Sequence, residues 1–230
     1  MDTPRRLLTD KRIRESVMKI YEYGNSEADI VLLQPVDDHD LEFIKHEADL
    51  IAAGCGRSFR LIAVKVEDWN KDLSPWEAPP VFGKESFGSG APDTLSELIK
   101  LCGDKSKTYF IGGYSLAGLF ALWASYQTDV FKAVCAASPS VWFPDFTDYM
   151  SANEIRTWNV YLSLGDREEK TRNPLMASVG GNIRKAYELL RERGINCVLE
   201  WNEGNHFKEP DIRTAKAFIW AVNNYETGTV

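Results

Sequence analysis

Short runs of apolar residues alternate along this chain with segments in which apolar residues recur every three or four positions. Continuous apolar runs of this length are typical of buried strands. We predict strands over residues 30–33, 61–66, 109–111, 133–137, 160–164 and 197–201. The segments between most of them have the period of amphipathic helices. Strands that alternate with helices predict an α/β fold in which helices cover both faces of a mostly parallel sheet.

The first predicted helix has clear signals at both ends. Asp40 is a candidate N-cap, and Gly54 is a stop signal. Its apolar positions follow helical spacing at Leu41, Ile44, Ala48 and Ile51. Pro35 is expected to end the strand before this helix. The strands on either side of the helix are therefore expected to pair in parallel.

The two ends of the chain differ in clarity. Residues 5–27 mix charged and apolar positions, and we predict a peripheral strand or hairpin there. At the other end, Pro210 begins a predicted helix. The apolar face of that helix is expected at Ile212, Ala215, Ile219 and Val222.

A long segment without period, residues 67–91, separates the second and third predicted strands. It contains the aromatic residues Trp69, Trp76, Phe82 and Phe87. A loop of this length is more often functional than idle, so these rings are candidates for one wall of a binding pocket. Packing of the loop onto the body of the protein is an equally good interpretation.

Length and charge narrow the classes of function. With 230 residues, the chain is long enough for one large core, and we expect one domain over residues 1–230. Hydrophobic residues make up 44% and charged residues 27%, a balance typical of soluble globular proteins. The net charge of −7 predicts no basic surface for nucleic acid or anionic lipid.

The N-terminal residues and the cysteines bear on location. Residues 1–10 carry charges but no continuous apolar core, so they do not have the pattern of a secretory signal. The four cysteines form no C-x-x-C pair and are predicted to be buried free thiols. We expect a cytoplasmic protein, with no membrane-spanning run of about 20 apolar residues.

The most informative stretch surrounds Ser115. An apolar run ends at two glycines, Ser115 follows after one residue, and a helical apolar pattern then begins. This order predicts a strand, a sharp turn and a helix, which would expose the serine hydroxyl beside the free N–H groups of the helix start. The strained turn requires small residues two positions before and after the serine, where Gly113 and Ala117 stand. The geometry suits a nucleophile.

Two further sets of polar residues follow predicted strands. The acids Asp166, Glu168 and Glu169 follow one strand, and His206 follows another. Ligands bind at the carboxyl ends of the strands in such a sheet, so Ser115, an acid and His206 are expected at the same rim. Their chain order, nucleophile, acid and histidine, is that of an α/β-hydrolase.

The chain resembles the α/β-hydrolase fold over most of its length. Within that fold it is similar to the esterase family that includes siderophore (enterochelin-type) esterases. The resemblance rests on residues 113–118 (Gly-Tyr-Ser-Leu-Ala-Gly), 138–142 (Ser-Pro-Ser-Val-Trp) and 72–75 (Asp-Leu-Ser-Pro). Two departures are that Ala117 replaces the usual glycine and that residues 34–36 (Gln-Pro-Val) replace a glycine-bearing loop.

The resemblance implies roles for these residues. Ser115 would be the nucleophile and His206 its general base. Glu168 is favoured as the acid because the family's acid commonly lies three residues after the glycine that ends the strand, here Gly165; Asp166 and Glu169 stay open. The backbone N–H of Leu116 would stabilise an oxyanion, with a second N–H from the region of Val36 or Asp37.

Other residues near the predicted rim have two interpretations. Trp142 and Trp76 would line the substrate pocket, or they would only pack. Residues 37–40 (Asp-Asp-His-Asp) contain metal-ligand side chains, but no partner spacing supports a metal site, and an acidic helix start is favoured. We expect no metal and no organic cofactor.

These observations predict a serine hydrolase that cleaves small carboxylic esters through an acyl-Ser115 intermediate. The short connection between residues 142 and 160 leaves no room for a helical cap domain, so the site would be open and would favour water-soluble esters. Amide hydrolysis or acyl transfer on the same triad is an alternative, as is an inactive, hydrolase-like binding protein.

Overall fold

A computed structural model describes residues 18–81 and 83–225. The expectations for residues 1–10, for the first part of the 5–27 segment and for Phe82 fall outside these ranges.

In the described part of the chain, seven strands form one sheet. They are β1 (Lys19–Gly24), β2 (Ile30–Val36), β3 (Phe59–Lys65), β4 (Thr108–Tyr114), β5 (Phe131–Ala137), β6 (Asn159–Gly165) and β7 (Asn196–Asn202). The strand order is β1-β3-β2-β4-β5-β6-β7. Only β1, at the edge, is antiparallel to its neighbour, so the predicted mostly parallel sheet is confirmed.

Eight helices lie within the same residues. They are α1 (Asp38–Gly54), α2 (Trp69–Asp72), α3 (Ala91–Lys100), α4 (Ser115–Gln127), α5 (Phe146–Ala152), α6 (Pro174–Ala177), α7 (Val179–Glu192) and α8 (Pro210–Asn224). One face of the sheet packs against α3, α4 and α7, and the other packs against α1 and α8. None of these helices is both long enough and apolar enough to cross a lipid bilayer.

The central strands are straightforward consequences of their sequences. All residues of β2 are buried, as expected for a continuous apolar run between two other strands. The prediction that Pro35 ends this strand was wrong, because β2 continues to Val36 beside β3. The pairing of β2 with β4 ends at Leu33 and Ile111. Pro35 therefore lies where its missing N–H breaks no bond to β4.

The place where β2 and β4 stop pairing determines where the candidate site lies. The chain proceeds from β2 to β3 on one side of the sheet and from β4 to β5 on the other, so the topology switches direction between β2 and β4. Past their last paired residues, the two strands separate at their carboxyl ends. A crevice at such a switch point is where α/β sheets bind ligands, and Ser115 follows β4 directly at this place.

Two helix predictions need correction. The N-cap of α1 is Asp37 rather than Asp40, and the two form a reciprocal capping box. Asp37 Oδ1 accepts the Asp40 N–H at 2.8 Å, while Asp40 Oδ2 accepts the Asp37 N–H at 3.3 Å. The acidic residues at 37–40 thus form a helix start.

The buried face of α8 contains Ala215 and Val222, as predicted, but is shifted from the predicted face at its other positions. Ile212 and Ile219 are only partly buried, whereas Arg213, Ala217 and Phe218 are buried. The apolar pattern did not predict this buried face, because the charged residue Arg213 lies in it.

The capping box gives a prediction about stability. Burial, with the charge of Asp37 adding to it, raises the pKa of Asp40 to about 6. The folded state therefore holds a proton that the unfolded chain loses near pH 4, so ionised Asp40 destabilises the fold as pH rises. We expect Asp40→Asn to match the wild type near pH 4 and to exceed it by about 1 to 3 kcal/mol at pH 7.

Urea unfolding of both proteins at several pH values measures this difference. Glu42→Gln, at an exposed position on the same helix, controls for the loss of one negative charge. A gap between Asp40→Asn and the wild type that is constant from pH 4 to pH 7 would contradict the explanation.

Candidate active site

Ser115 occupies a strained turn between β4 and α4. Its φ is 56°, in the left-handed region that non-glycine residues rarely adopt. Such a conformation costs roughly 1–3 kcal/mol and is found mainly at functional sites. The small neighbours predicted from sequence fit the geometry, because a Cβ added at Gly113 would lie 2.6 Å from the Ala117 Cβ.

The N-terminus of α4 is left free at this turn. Its N-cap, Tyr114, makes no side-chain hydrogen bond to the helix, so the first N–H groups have no side-chain cap. Leu116, the second residue of the helix, is buried there. An uncapped, buried helix start attracts negative charge.

The structure brings Ser115, His206 and Glu168 into one line. Ser115 Oγ lies 2.9 Å from His206 Nε2, and His206 Nδ1 lies 2.7 Å from Glu168 Oε2. With the proton on Nδ1, Nε2 is free to accept from the serine hydroxyl. Position 168 is thus the acid that contacts the imidazole.

The two neighbouring acids have other partners. Asp166 Oδ1 accepts the N–H of Gly204 at 2.8 Å, which fixes the turn before His206. Glu169 forms a salt bridge with Arg184 at 3.1 Å.

The second oxygen of Glu168 is held by three donors. Oε1 accepts from the Gly165 N–H at 2.6 Å, from Ser138 Oγ at 2.8 Å and from Arg213 Nη1 at 2.9 Å. Ser138 has a φ of 43°, a second strained position in the same place. One carboxylate oxygen is therefore fixed by the scaffold, and the other faces His206.

Tyr114 holds the histidine from the side of the sheet. Its hydroxyl donates to the backbone carbonyl of His206 at 2.8 Å, and the two rings are 5.1 Å apart. Burial, followed by the charge of Glu168, raises the pKa of Tyr114 to about 12. The phenol is therefore a neutral donor at physiological pH.

Ser140 is a neighbour of the nucleophile that sequence reasoning missed. Its Oγ is 3.2 Å from Ser115 Oγ, and its N–H donates to the Ser115 carbonyl at 3.0 Å. Ser138 and Ser140 belong to a motif that supported the family resemblance, but the motif alone assigned no contact to either hydroxyl. Arg213 is a second residue that sequence reasoning missed, and its only signal was a single charged residue on the apolar face of a helix.

The second predicted oxyanion donor is less defined. Val36 is buried at the carboxyl end of β2, and its carbonyl accepts the Val66 N–H at 3.0 Å. The Asp37 N–H is engaged by Asp40 in the capping box. Val36 pairs with Lys65 in the parallel ladder, so its N–H faces β3 on the same side as its carbonyl, and the second oxyanion donor stays a prediction from the sequence.

The predicted pocket residues have different surroundings. Trp142 lines a cavity of about 20 Å³ beside Glu168 and His206. Its remaining walls are Ser138, Pro139, Met176 and Val179. Trp76 is not part of this lining, because it lies in an aromatic cluster. Its indole N–H donates to the Pro144 carbonyl at 3.1 Å, and its ring contacts Phe143, Phe146 and Tyr149.

The segment over residues 67–91 is consequently attached to the body of the protein. It contains α2 and an isolated bridge between Ala78 and Phe87. The Phe87 ring packs edge-on against Trp142 and Phe143. The packing interpretation applies to Trp76, and Trp142 connects this cluster to the cavity.

Across residues 18–81 and 83–225, no three His, Cys, Asp or Glu side chains group closely enough to ligate a metal ion. The four cysteines are free thiols; Cys135 and Cys197 are buried, as predicted, and Cys55 and Cys102 are partly exposed.

Comparison with known proteins adds the fold family. No protein-family model and no curated protein matches the sequence. Among solved structures, an IroE-like serine hydrolase from Shewanella oneidensis aligns with a TM-score of 0.69 and 14% identity, over 88% of this chain and 74% of that one. The siderophore hydrolase EstA from Aspergillus nidulans aligns with a TM-score of 0.60 and 17% identity, over 96% and 99%.

A third similar structure is FphF, a fluorophosphonate-binding serine hydrolase from Staphylococcus aureus. It aligns with a TM-score of 0.59 and 11% identity, over 90% of this chain and 99% of that one. Identities this low establish the shared fold alone. The chain has the α/β-hydrolase fold and resembles siderophore esterases in structure, as predicted.

The turn at Ser115 gives a prediction about packing. Gly113→Ala should destabilise the protein by about 1 to 3 kcal/mol, because its Cβ would overlap the Ala117 Cβ. Adding Ala117→Gly removes the overlapping atom and should recover part of the loss, although glycine in a helix itself costs about 1 kcal/mol. Chemical unfolding of the single and double variants gives the coupling energy.

Gly112→Ala provides the matched control. Its added Cβ would meet Cys135 and Phe218 instead, so its effect should simply add to that of Ala117→Gly. If the effects of Gly113→Ala and Ala117→Gly also add, a direct contact between the two positions is not the reason for small residues at this turn.

Proposed function

We propose that the protein is a serine hydrolase that cleaves small carboxylic esters through an acyl-Ser115 intermediate. The single observation that supports this most strongly is the hydrogen-bonded line from Ser115 Oγ through His206 to Glu168, with contacts of 2.9 Å and 2.7 Å. It lies beside an uncapped helix start at a topological switch point. A binding protein has no need of this combination.

The first half of the reaction forms the acyl-enzyme. His206 Nε2 takes the hydroxyl proton as Ser115 Oγ attacks the ester carbonyl carbon, and the carbonyl oxygen becomes an oxyanion. The Leu116 N–H stabilises that oxyanion, and the region of Val36 and Asp37 is the candidate source of a second N–H; one such donor contributes roughly 3 kcal/mol. When the tetrahedral intermediate collapses, the imidazolium gives its proton to the departing alcohol.

The second half repeats these steps with water. His206 takes a proton from a water molecule as the water oxygen attacks the acyl carbon. Collapse of the second intermediate returns the proton to Ser115 Oγ and releases the carboxylic acid. In both halves Glu168 keeps the proton on Nδ1 and stabilises the imidazolium with its negative charge.

The surroundings of His206 favour small substrates. The cavity of about 20 Å³ beside His206, with Trp142, Met176 and Val179 among its walls, holds little more than one water molecule, so a substrate group that enters it must be short. We therefore propose water-soluble esters with a short group beside His206. The similar structure from Aspergillus nidulans is a siderophore hydrolase, which supports a hydrolase function. A cytoplasmic location stays a prediction from the sequence.

A fluorophosphonate probe and an ester screen test the proposal. The wild type should be labelled and should hydrolyse short-chain soluble esters faster than long-chain ones. Ser115→Ala should abolish labelling and lower kcat/KM by roughly 10⁴-fold or more, because the nucleophile is lost. The neighbouring Ser140→Ala is the matched control and should still be labelled.

Absence of labelling and of ester turnover in the wild type would favour an inactive, hydrolase-like binding protein. Labelling without ester hydrolysis would favour the amidase or acyltransferase alternative.

The choice of acid is a separate prediction. Glu168→Gln should lower kcat/KM by roughly 10³- to 10⁴-fold, because the amide cannot stabilise the imidazolium. Asp166→Asn and Glu169→Gln remove the same charge from nearby positions and should each cost less than about tenfold, since neither contacts His206. Steady-state kinetics with one ester compares the three, and a larger loss at position 166 or 169 would reassign the acid.

A further inference from the structure

Arg213 is a buried charge that the proposed reaction does not use directly. It lies in the first turn of α8 and is 1% exposed. A buried guanidinium is costly unless its donors are paired. Its partners are therefore a guide to its role, and they all belong to the surroundings of Glu168 and His206.

One arm of the guanidinium faces the acid. Nη1 donates to Glu168 Oε1 at 2.9 Å and lies 3.0 Å from the Tyr114 hydroxyl and 3.3 Å from Ser138 Oγ. These contacts fix the oxygen of Glu168 that does not face His206. They also place a compensating positive charge beside a buried carboxylate.

The other arm holds the backbone that carries the base. Nη2 donates to the carbonyls of Glu203 and Asn205, each at 3.1 Å. The carbonyl of His206 itself is held by Tyr114, which also contacts Nη1. The planar fork therefore joins the acid and the loop of the histidine in one fixed arrangement.

We propose that Arg213 is a positioning residue that sets the Glu168–His206 contact. This inference rests on the proposed function, in which that contact orients the base. Arg213 does not touch Ser115, so its effect on the reaction passes through Glu168 and the His206 backbone. A lysine keeps the charge but has no planar fork, and its single ammonium cannot reproduce the two-armed arrangement.

Kinetics of Arg213→Lys and Arg213→Met test this inference. We expect Arg213→Met to lower kcat by roughly 10- to 100-fold with KM changed less than about threefold, because the base is misplaced while the substrate contacts remain. Arg213→Lys should retain part of kcat. Lys216→Met is the matched control, since Lys216 lies on the same helix and pairs with Glu200 outside this network.

A double-mutant cycle separates positioning from general stability. If Arg213 sets the Glu168–His206 contact, Arg213→Met should cost at least about threefold less in kcat when Glu168→Gln is already present than it costs in the wild type. An equal loss in both backgrounds would overturn the proposal.

A spectroscopic readout does not depend on turnover. A proton shared between an imidazole Nδ1 and a carboxylate gives a strongly downfield NMR resonance. The resonance is to be assigned by its loss in the His206→Gln variant. This resonance should be present in the wild type and shifted upfield or lost in Arg213→Met. An unchanged resonance would contradict a positioning role.

The two proposals fail in different ways. If the wild type hydrolyses no ester and binds no fluorophosphonate, the proposed function is wrong, while the resonance still decides whether Arg213 sets the Glu168–His206 contact. If Arg213→Met does not fold, Arg213→Lys carries the same kinetic and NMR comparisons.

Discussion

The carboxylate of Glu168 must remain a directional acceptor while it is almost completely shielded from water. Its two oxygens have different partners. Oε1 accepts hydrogen bonds from Gly165, Ser138 and Arg213, and Oε2 contacts His206. A buried carboxylate without such donors would be strongly destabilising. The hydrogen-bond partners must therefore come from elements that are distant in sequence. The site lies where β4, β5, β6 and α8 bring these partners together.

The sheet topology makes that convergence possible. Each of β4, β5 and β6 ends at the same rim because neighbouring strands are parallel. Strained backbone at Ser115 and Ser138 turns the chain sharply at two of these ends and keeps both hydroxyls near the rim. The segment after Ser115 is the buried helix α4, and the segment after Ser138 packs in the aromatic cluster around Trp76. This packing offsets the cost of the two strained positions.

Much of this could be predicted from local sequence, and the failures have specific causes. The strands and the Ser115 turn follow from apolar runs and from glycines placed where a Cβ would clash. Asp40 was predicted as the N-cap in place of Asp37, because the side chains of both residues accept a backbone N–H at this helix start. Periodicity also missed Arg213, since it treats a charge as exposed and cannot register a partner that is 45 residues away. Trp76 lies in an aperiodic segment, where the sequence does not distinguish a pocket wall from packing.

The position of Arg213 in the chain has a consequence for the order of synthesis. Ser115 and Glu168 are synthesised before α8, which follows every strand of the sheet. A nascent chain can therefore pair its strands while Glu168 still has water as a partner. Only the docking of α8 exchanges that water for a guanidinium, so maturation of the site is expected to be a late step, after the sheet itself has formed.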